Sequence, residues 1–100
     1  MRERLANRRS CETFNIVCNN LDYTVSIGRF PDGRLAEIFI SNGKSGSDAD
    51  AAAKDSAVIC SIALQHNVPL ETIRHALLRS SSGVASSPLG TALDQLAVQR

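Results

Sequence analysis

The sequence predicts an α+β fold: a three-stranded antiparallel meander followed by a long central helix and two shorter helices packed on one sheet face. Three observations predict it. Apolar residues alternate with a period of two through residues 12–41. Turn-forming residues interrupt that alternation twice, at Asn19-Asn20 and at Pro31-Asp32-Gly33. From Gly46 onward the apolar spacing changes to three and four. Strands first and helices after is the pattern of a sheet with its helices gathered on one side.

Each strand follows from its alternation. From Glu12, residues Phe14, Ile16 and Cys18 point one way and Thr13, Asn15 and Val17 the other, as in a half-buried strand. Asn19-Asn20 tolerates left-handed backbone and suits a tight turn. Tyr23, Val25 and Ile27 then alternate with Thr24, Ser26 and Gly28. In Pro31-Asp32-Gly33 the proline presets the first corner and the glycine takes the positive φ of a bulge-type hairpin. Ala36, Ile38 and Ile40 alternate with Leu35, Glu37, Phe39 and Ser41 in the third strand. Val17, Leu35 and Phe39 are expected on the face away from the helices. A sheet apolar on both faces suggests a partner surface, most simply a second copy of the chain in a homodimer. Cover from the N-terminal arm or the last helix is the competing expectation.

The long helix is read over Gly46 to Asn67, GSDADAAAKDSAVICSIALQHN. Ser47 or Asp48 can cap it, and Asp48 and Asp50 sit at the positive end of its dipole. Ala52, Ala53, Ala57, Ile59, Cys60, Ala63 and Leu64 recur at spacings of three and four, and Val58 and Ile62 widen that stripe. A helix this apolar is expected to be buried on most of its girth. On that expectation an aspartate at either Ala57 or Ile59 is severely destabilising. Pro69 opens a second helix with Leu70, Ile73 and Leu77 on one face. After a polar loop, Ser87-Pro88 reads as cap and first-turn proline of a last helix carrying Leu89, Leu93 and Leu96.

At 100 residues the chain is one domain, assigned to 12–100. Residues 1–11 form a basic arm, expected to be mobile, with Arg2, Arg4, Arg8 and Arg9 against Glu3. The composition is that of an ordinary globular protein, and a net charge of +1 offers no global field to a nucleic acid. Cys11, Cys18 and Cys60 form no C-x-x-C pair. An odd count of thiols without a leader sequence points to the reducing cytoplasm, with Cys18 and Cys60 as buried free thiols. No apolar run approaches the roughly 18 residues of a membrane span.

No catalytic site is expected. Gly43-Lys44-Ser45 before a helix resembles a phosphate loop, but the position that needs the first glycine is Ile38. Asp48 and Asp50 also oppose an anion there. Lys44, Ser45, Gly46 and Ser47 are therefore read mainly as a connector, with weak anion or nucleotide binding as the lesser reading. Asp48, Asp50 and Asp55 are read as solvated acids. His66 and His75 lack the further ligands of a metal site, and no metal or cofactor is expected. No serine sits in a G-x-S-x-G elbow. One pattern suggests a small DNA-binding regulator. Ala63, Asn67 and Ile73 have helix-turn-helix spacing, and Thr72, Arg74, His75 and Arg79 could then face a groove. The near-zero net charge and Glu71 argue against it.

The segments IGRFPDGRLAEIFI, KSGSDADAAAKDSAVICSIALQH, VPLETIRHALLR and SSPLGTALDQL together resemble the TSCPD domain, over roughly Glu12 to Leu96. That domain occurs near the C-terminus of adenosylcobalamin-dependent ribonucleotide reductases and as free-standing proteobacterial proteins of about this size. The resemblance implies an accessory role: a non-catalytic interaction module that binds a protein partner or nucleotide. It does not imply reductase activity. The barrel, the radical-relaying cysteine, the cobalamin site and the redox cysteine pair have no counterpart here, and the TSCPD string itself is absent.

Overall fold

The computed structural model describes residue 2, residues 11–44 and residues 46–98. Three strands, β1 (Cys11–Cys18), β2 (Leu21–Arg29) and β3 (Leu35–Asn42), are followed by helices α1 (Asp48–Gln65), α2 (Leu70–Ala76) and α3 (Pro88–Val98). The sheet is an antiparallel meander in the order β1-β2-β3. The predicted architecture is therefore the observed one. Apart from Arg2, whose Nε donates to Gln65 Oε1, and Cys11, the first residue of β1, the expected basic arm lies outside the described residues.

The turns follow from their residues. Asn19 and Asn20 both take positive φ, 51° and 64°, so two residues suffice to join β1 to β2. Gly33 takes φ 94° in the second hairpin, where the Phe30 and Gly33 amides donate to the Arg34 and Phe30 carbonyls. At the start of β3 the register shifts: Gly28 pairs with Glu37, but Arg29 pairs with Leu35. This bulge turns Leu35 inward. It is buried in the core, not on the open face where simple alternation places it.

Ile16, Cys18, Tyr23, Val25, Ile27, Ile38 and Ile40 form the buried sheet face. Ala53, Ala57, Cys60 and Leu64 of α1 cover it beside β3, and Leu89, Ala92, Leu93 and Leu96 of α3 complete the cover. The small Ala53 and Ala57 let α1 lie close to β3. α2 is short and has no fully buried residue, though Leu70, Ile73 and Leu77 lean on the core. Ser47 caps α1 by accepting from the Asp50 amide at 3.1 Å. At the other end Asn67 turns left-handed (φ 66°), and the Val68 and Asn67 amides close onto the Ala63 and Leu64 carbonyls. Ser87 caps α3 by accepting from the Gly90 amide at 3.1 Å.

Candidate interaction face

The contact between α1 and β3 decides which side of α1 is left open. β2 occupies one edge of β3, and the other edge presents its free backbone groups to α1. Three polar side chains of the helix bond to those of Ala36, Ile38 and Asn42. Asp50 Oδ1 accepts from the Asn42 amide at 2.9 Å. Ser61 Oγ accepts from the Ile38 amide at 2.9 Å, and its one proton is within reach of two carbonyls, Ile38 and Ala57, each at 3.0 Å. Gln65 Nε2 donates to the Ala36 carbonyl at 3.1 Å. All three side chains are buried. The helix thus seals the strand edge, a position that folded proteins otherwise protect with charge or bulges.

Asp50 corrects the expectation of a solvated acid at the helix start. The residue is 2% exposed, bonded to Asn42 and paired with Lys54 Nζ at 2.9 Å. The Lys54 contact, then the Asn42 amide, hold its pKa below the ordinary carboxylate value.

Because Asp50, Ser61 and Gln65 must face β3, Ile59 on the opposite side of α1 faces solvent, and Val58 and Ile62 lie on the flank between the two. Val58 is 50% exposed, Ile59 68% and Ile62 39%. The expectation of a helix buried on most of its girth is therefore wrong for this stripe. Phe39, 50% exposed on the helix-free sheet face, continues the apolar surface from α1 onto β3. Phe39 and Val58 border a shallow cavity of about 320 Å³ with Thr24, Ser26, Ser41 and Lys54. Val17, expected on the same sheet face, is also exposed. A sequence signal for the sealed edge exists. Asp50, Ser61 and Gln65 are eleven and four residues apart, close to whole helical turns, so three polar residues share one side of an apolar helix.

The remaining candidate residues take different places. Lys44 is exposed, and Ser45 lies outside the described residues. Gly46 has φ 83° and leads into the cap. The Ser47 hydroxyl is engaged twice, accepting from Asp50 and donating to the Lys44 carbonyl at 2.9 Å. In the segment with helix-turn-helix spacing, Arg74 and Arg79 turn away from solvent toward α3. Arg74 Nε reaches Asp94 Oδ1 at 2.8 Å, and Arg79 grips both Asp94 oxygens at 2.6 and 2.7 Å. Arg74 also pairs with Glu71. The two arginines hold the Asp94 carboxyl down to about 2, Arg79 contributing most. The cations that a groove-reading helix would need are thus engaged in fixing α2 and the following segment to α3, leaving Thr72 and His75 exposed. His75 stands 3.2 Å from Glu71.

Cys18 and Cys60 are buried free thiols and Cys11 is exposed. Burial pushes the Cys60 thiol up to about 11. Among the described residues no three His, Cys, Asp or Glu side chains converge as a metal set would. No described helix is long and apolar enough to cross a membrane.

Known proteins share this sequence pattern. The sequence profile of the TSCPD domain matches residues 2–98. A vitamin B12-dependent ribonucleotide reductase of Agrobacterium fabrum is 39% identical over 70 residues, 70% of this chain and 6% of that enzyme. The enzyme of the same description from Rhodopirellula baltica is 36% identical over 72 residues, 72% of this chain and 7% of its own length. A third, from Bradyrhizobium diazoefficiens, is 34% identical over 70 residues, 70% of this chain and 6% of that enzyme. The chain thus corresponds to a small fraction of each relative. No solved structure matches it.

Proposed function

The chain belongs to the TSCPD domain family, and from that premise we propose that it is a non-catalytic interaction module that docks a protein partner on the outer face of α1 and on Phe39. One observation carries this reading: Val58, Ile59 and Ile62 stand exposed on neighbouring turns of α1, and Val58 shares a cavity with the exposed Phe39 of β3. Scattered apolar side chains on a surface need no explanation, whereas a contiguous group on neighbouring elements marks an interaction site. The elements are rigid because Asp50, Ser61 and Gln65 tie α1 to β3 along its length. Such a surface is ready to bind without reordering, which lowers the entropic cost of association.

The matched relatives are reductases, but the matched segment is 6–7% of their length. We therefore carry over an accessory role from them and not their reaction. A protein partner is favoured over a nucleotide because the Ser47 hydroxyl is already used in the cap and the Asp50 carboxylate occupies the same helix end. The free thiols support a cytoplasmic setting.

The test is affinity capture with the tagged full chain as bait, in parallel with Ile59→Asp. Proteins retained by the native chain and lost by the variant are the expected result. Identical sets from the two baits refute the assignment of this face.

A further inference from the structure

The open stripe of α1 has a period of its own. Asp48, Ala52, Asp55, Ile59, Ile62 and His66 follow one another at intervals of four, three, four, three and four, and all six are exposed. This is the spacing that keeps a seam turned toward a partner helix in left-handed helix pairs. It is separate from the inward stripe of Asp50, Ala53, Ala57, Cys60, Ser61 and Leu64. One helix therefore carries two faces, of which the fold uses one.

We propose that the occupant of this seam is a second copy of the chain, its α1 antiparallel to the first about a two-fold axis at the level of residues 60–61, a pairing that rests on the docking reading above. The order of residues along the seam selects this arrangement. In it Ile59 meets the copy's Ile62, and Asp55 meets the copy's His66, each contact occurring twice by symmetry. The centre is apolar and each end joins a carboxylate to an imidazole. A neutral imidazole still has one N–H to donate to a carboxylate.

Other arrangements of the same seam are worse. A parallel pair sets Asp55 against Asp55 and His66 against His66, so like groups face each other at both ends. Sliding the antiparallel pair by one heptad sets Asp55 against Ile59, which takes a carboxylate from water and gives it no partner. The favoured seam is about 16 Å long, from Asp55 to His66. Val58 borders it and leads to Phe39 across their shared cavity, so the apolar contact extends beyond the two helices.

Sedimentation of the full chain over a wide concentration range tests the pairing. Native protein is expected to pass from one to two chain masses. Ile59→Asp removes two isoleucines from each dimer and should weaken association by roughly 100-fold or more, with an unchanged circular dichroism spectrum. The geometry has its own test in a Cys11→Ser background. Asp55→Cys and His66→Cys proteins, mixed and mildly oxidised, should form a mixed disulfide, whereas each alone should not. Two copies of position 55 lie about 16 Å apart along the antiparallel seam, beyond disulfide reach.

A protein that stays monomeric at every concentration, or a disulfide between two Asp55→Cys chains, overturns the pairing. So does a dimer that Ile59→Asp leaves intact. Monomeric native protein whose captured partners still depend on Ile59 removes the second copy and keeps the docking face. If Ile59→Asp changes neither mass nor capture, both readings fall.

Discussion

Replacing Ser61 by alanine tests the sealed edge of β3 directly. The hydroxyl accepts from the Ile38 amide at 2.9 Å, and both residues are buried, so no water stands ready to replace it. Alanine leaves that amide without a partner, which costs about 1–3 kcal/mol. Alanine is also the better helix former, by about 0.5 kcal/mol, and that gain offsets part of the loss. The net expectation is a destabilisation of about 0.5–2.5 kcal/mol. For a domain of this size it lowers Tm by roughly 2–20 °C. Urea denaturation followed by circular dichroism measures it, with Ser56→Ala as the control. Ser56 also lies on α1, but its hydroxyl only returns to the Ala53 carbonyl of its own helix. The control should stay within about 0.5 kcal/mol of the native chain. If Ser61→Ala is as stable as the native chain or as the control, the hydroxyl does not hold the strand edge and the orientation argued for α1 is wrong.

Further outcomes follow from the same structure. Ala57→Asp places a charge in the core, where Ala57 is 1% exposed, and should cost several kcal/mol; Ile59→Asp should cost about 0.5 kcal/mol or less at concentrations where the chain is a single copy, and urea titration of dilute protein separates the two. Asp94→Asn should destabilise the chain at neutral pH by about 1–3 kcal/mol, since two arginines lose a charged acceptor. The folded pKa of Asp94 is about 2, below its ordinary 3.8, so its contribution is complete above about 4 and is lost as pH falls toward 2. The gap between native and Asp94→Asn stability should therefore close across that window in acid titrations. Cys11 should react quickly with a thiol reagent under native conditions, while Cys18 and Cys60 should react only after denaturation. Gly33→Ala should lower stability by about 1 kcal/mol in thermal melts, because φ 94° is a conformation that a side chain resists.

The strands, turns and caps are legible in the sequence because each depends on neighbours along the chain. Asn19-Asn20, Gly33, Ser47 and Ser87 take the conformations that their side chains favour. The facing of α1 is not legible from hydrophobicity. A count of apolar residues puts Ile59 inside, but the free amides and carbonyls of β3 draw Asp50, Ser61 and Gln65 inward and turn Ile59 out. Leu35 departs from its expected face for a different reason: a single extra residue in β3 reverses every facing beyond it. The grip of Arg74 and Arg79 on Asp94 joins residues twenty and fifteen apart, and nothing local announces such a pair. In the interaction face, strand alternation alone places Phe39 and Val17 in the open, whereas helical spacing assigns Val58 and Ile62 to the core.

A sheet can recruit further strands only where its border is unoccupied. With α1 bonded along β3, that border is closed in this chain, and lateral recruitment is restricted to the β1 side. Ribbon growth needs two available borders per molecule, one to receive and one to offer. Edge pairing alone can therefore end only in pairs joined β1 to β1, and a continuous ribbon cannot grow from native molecules by strand pairing by itself.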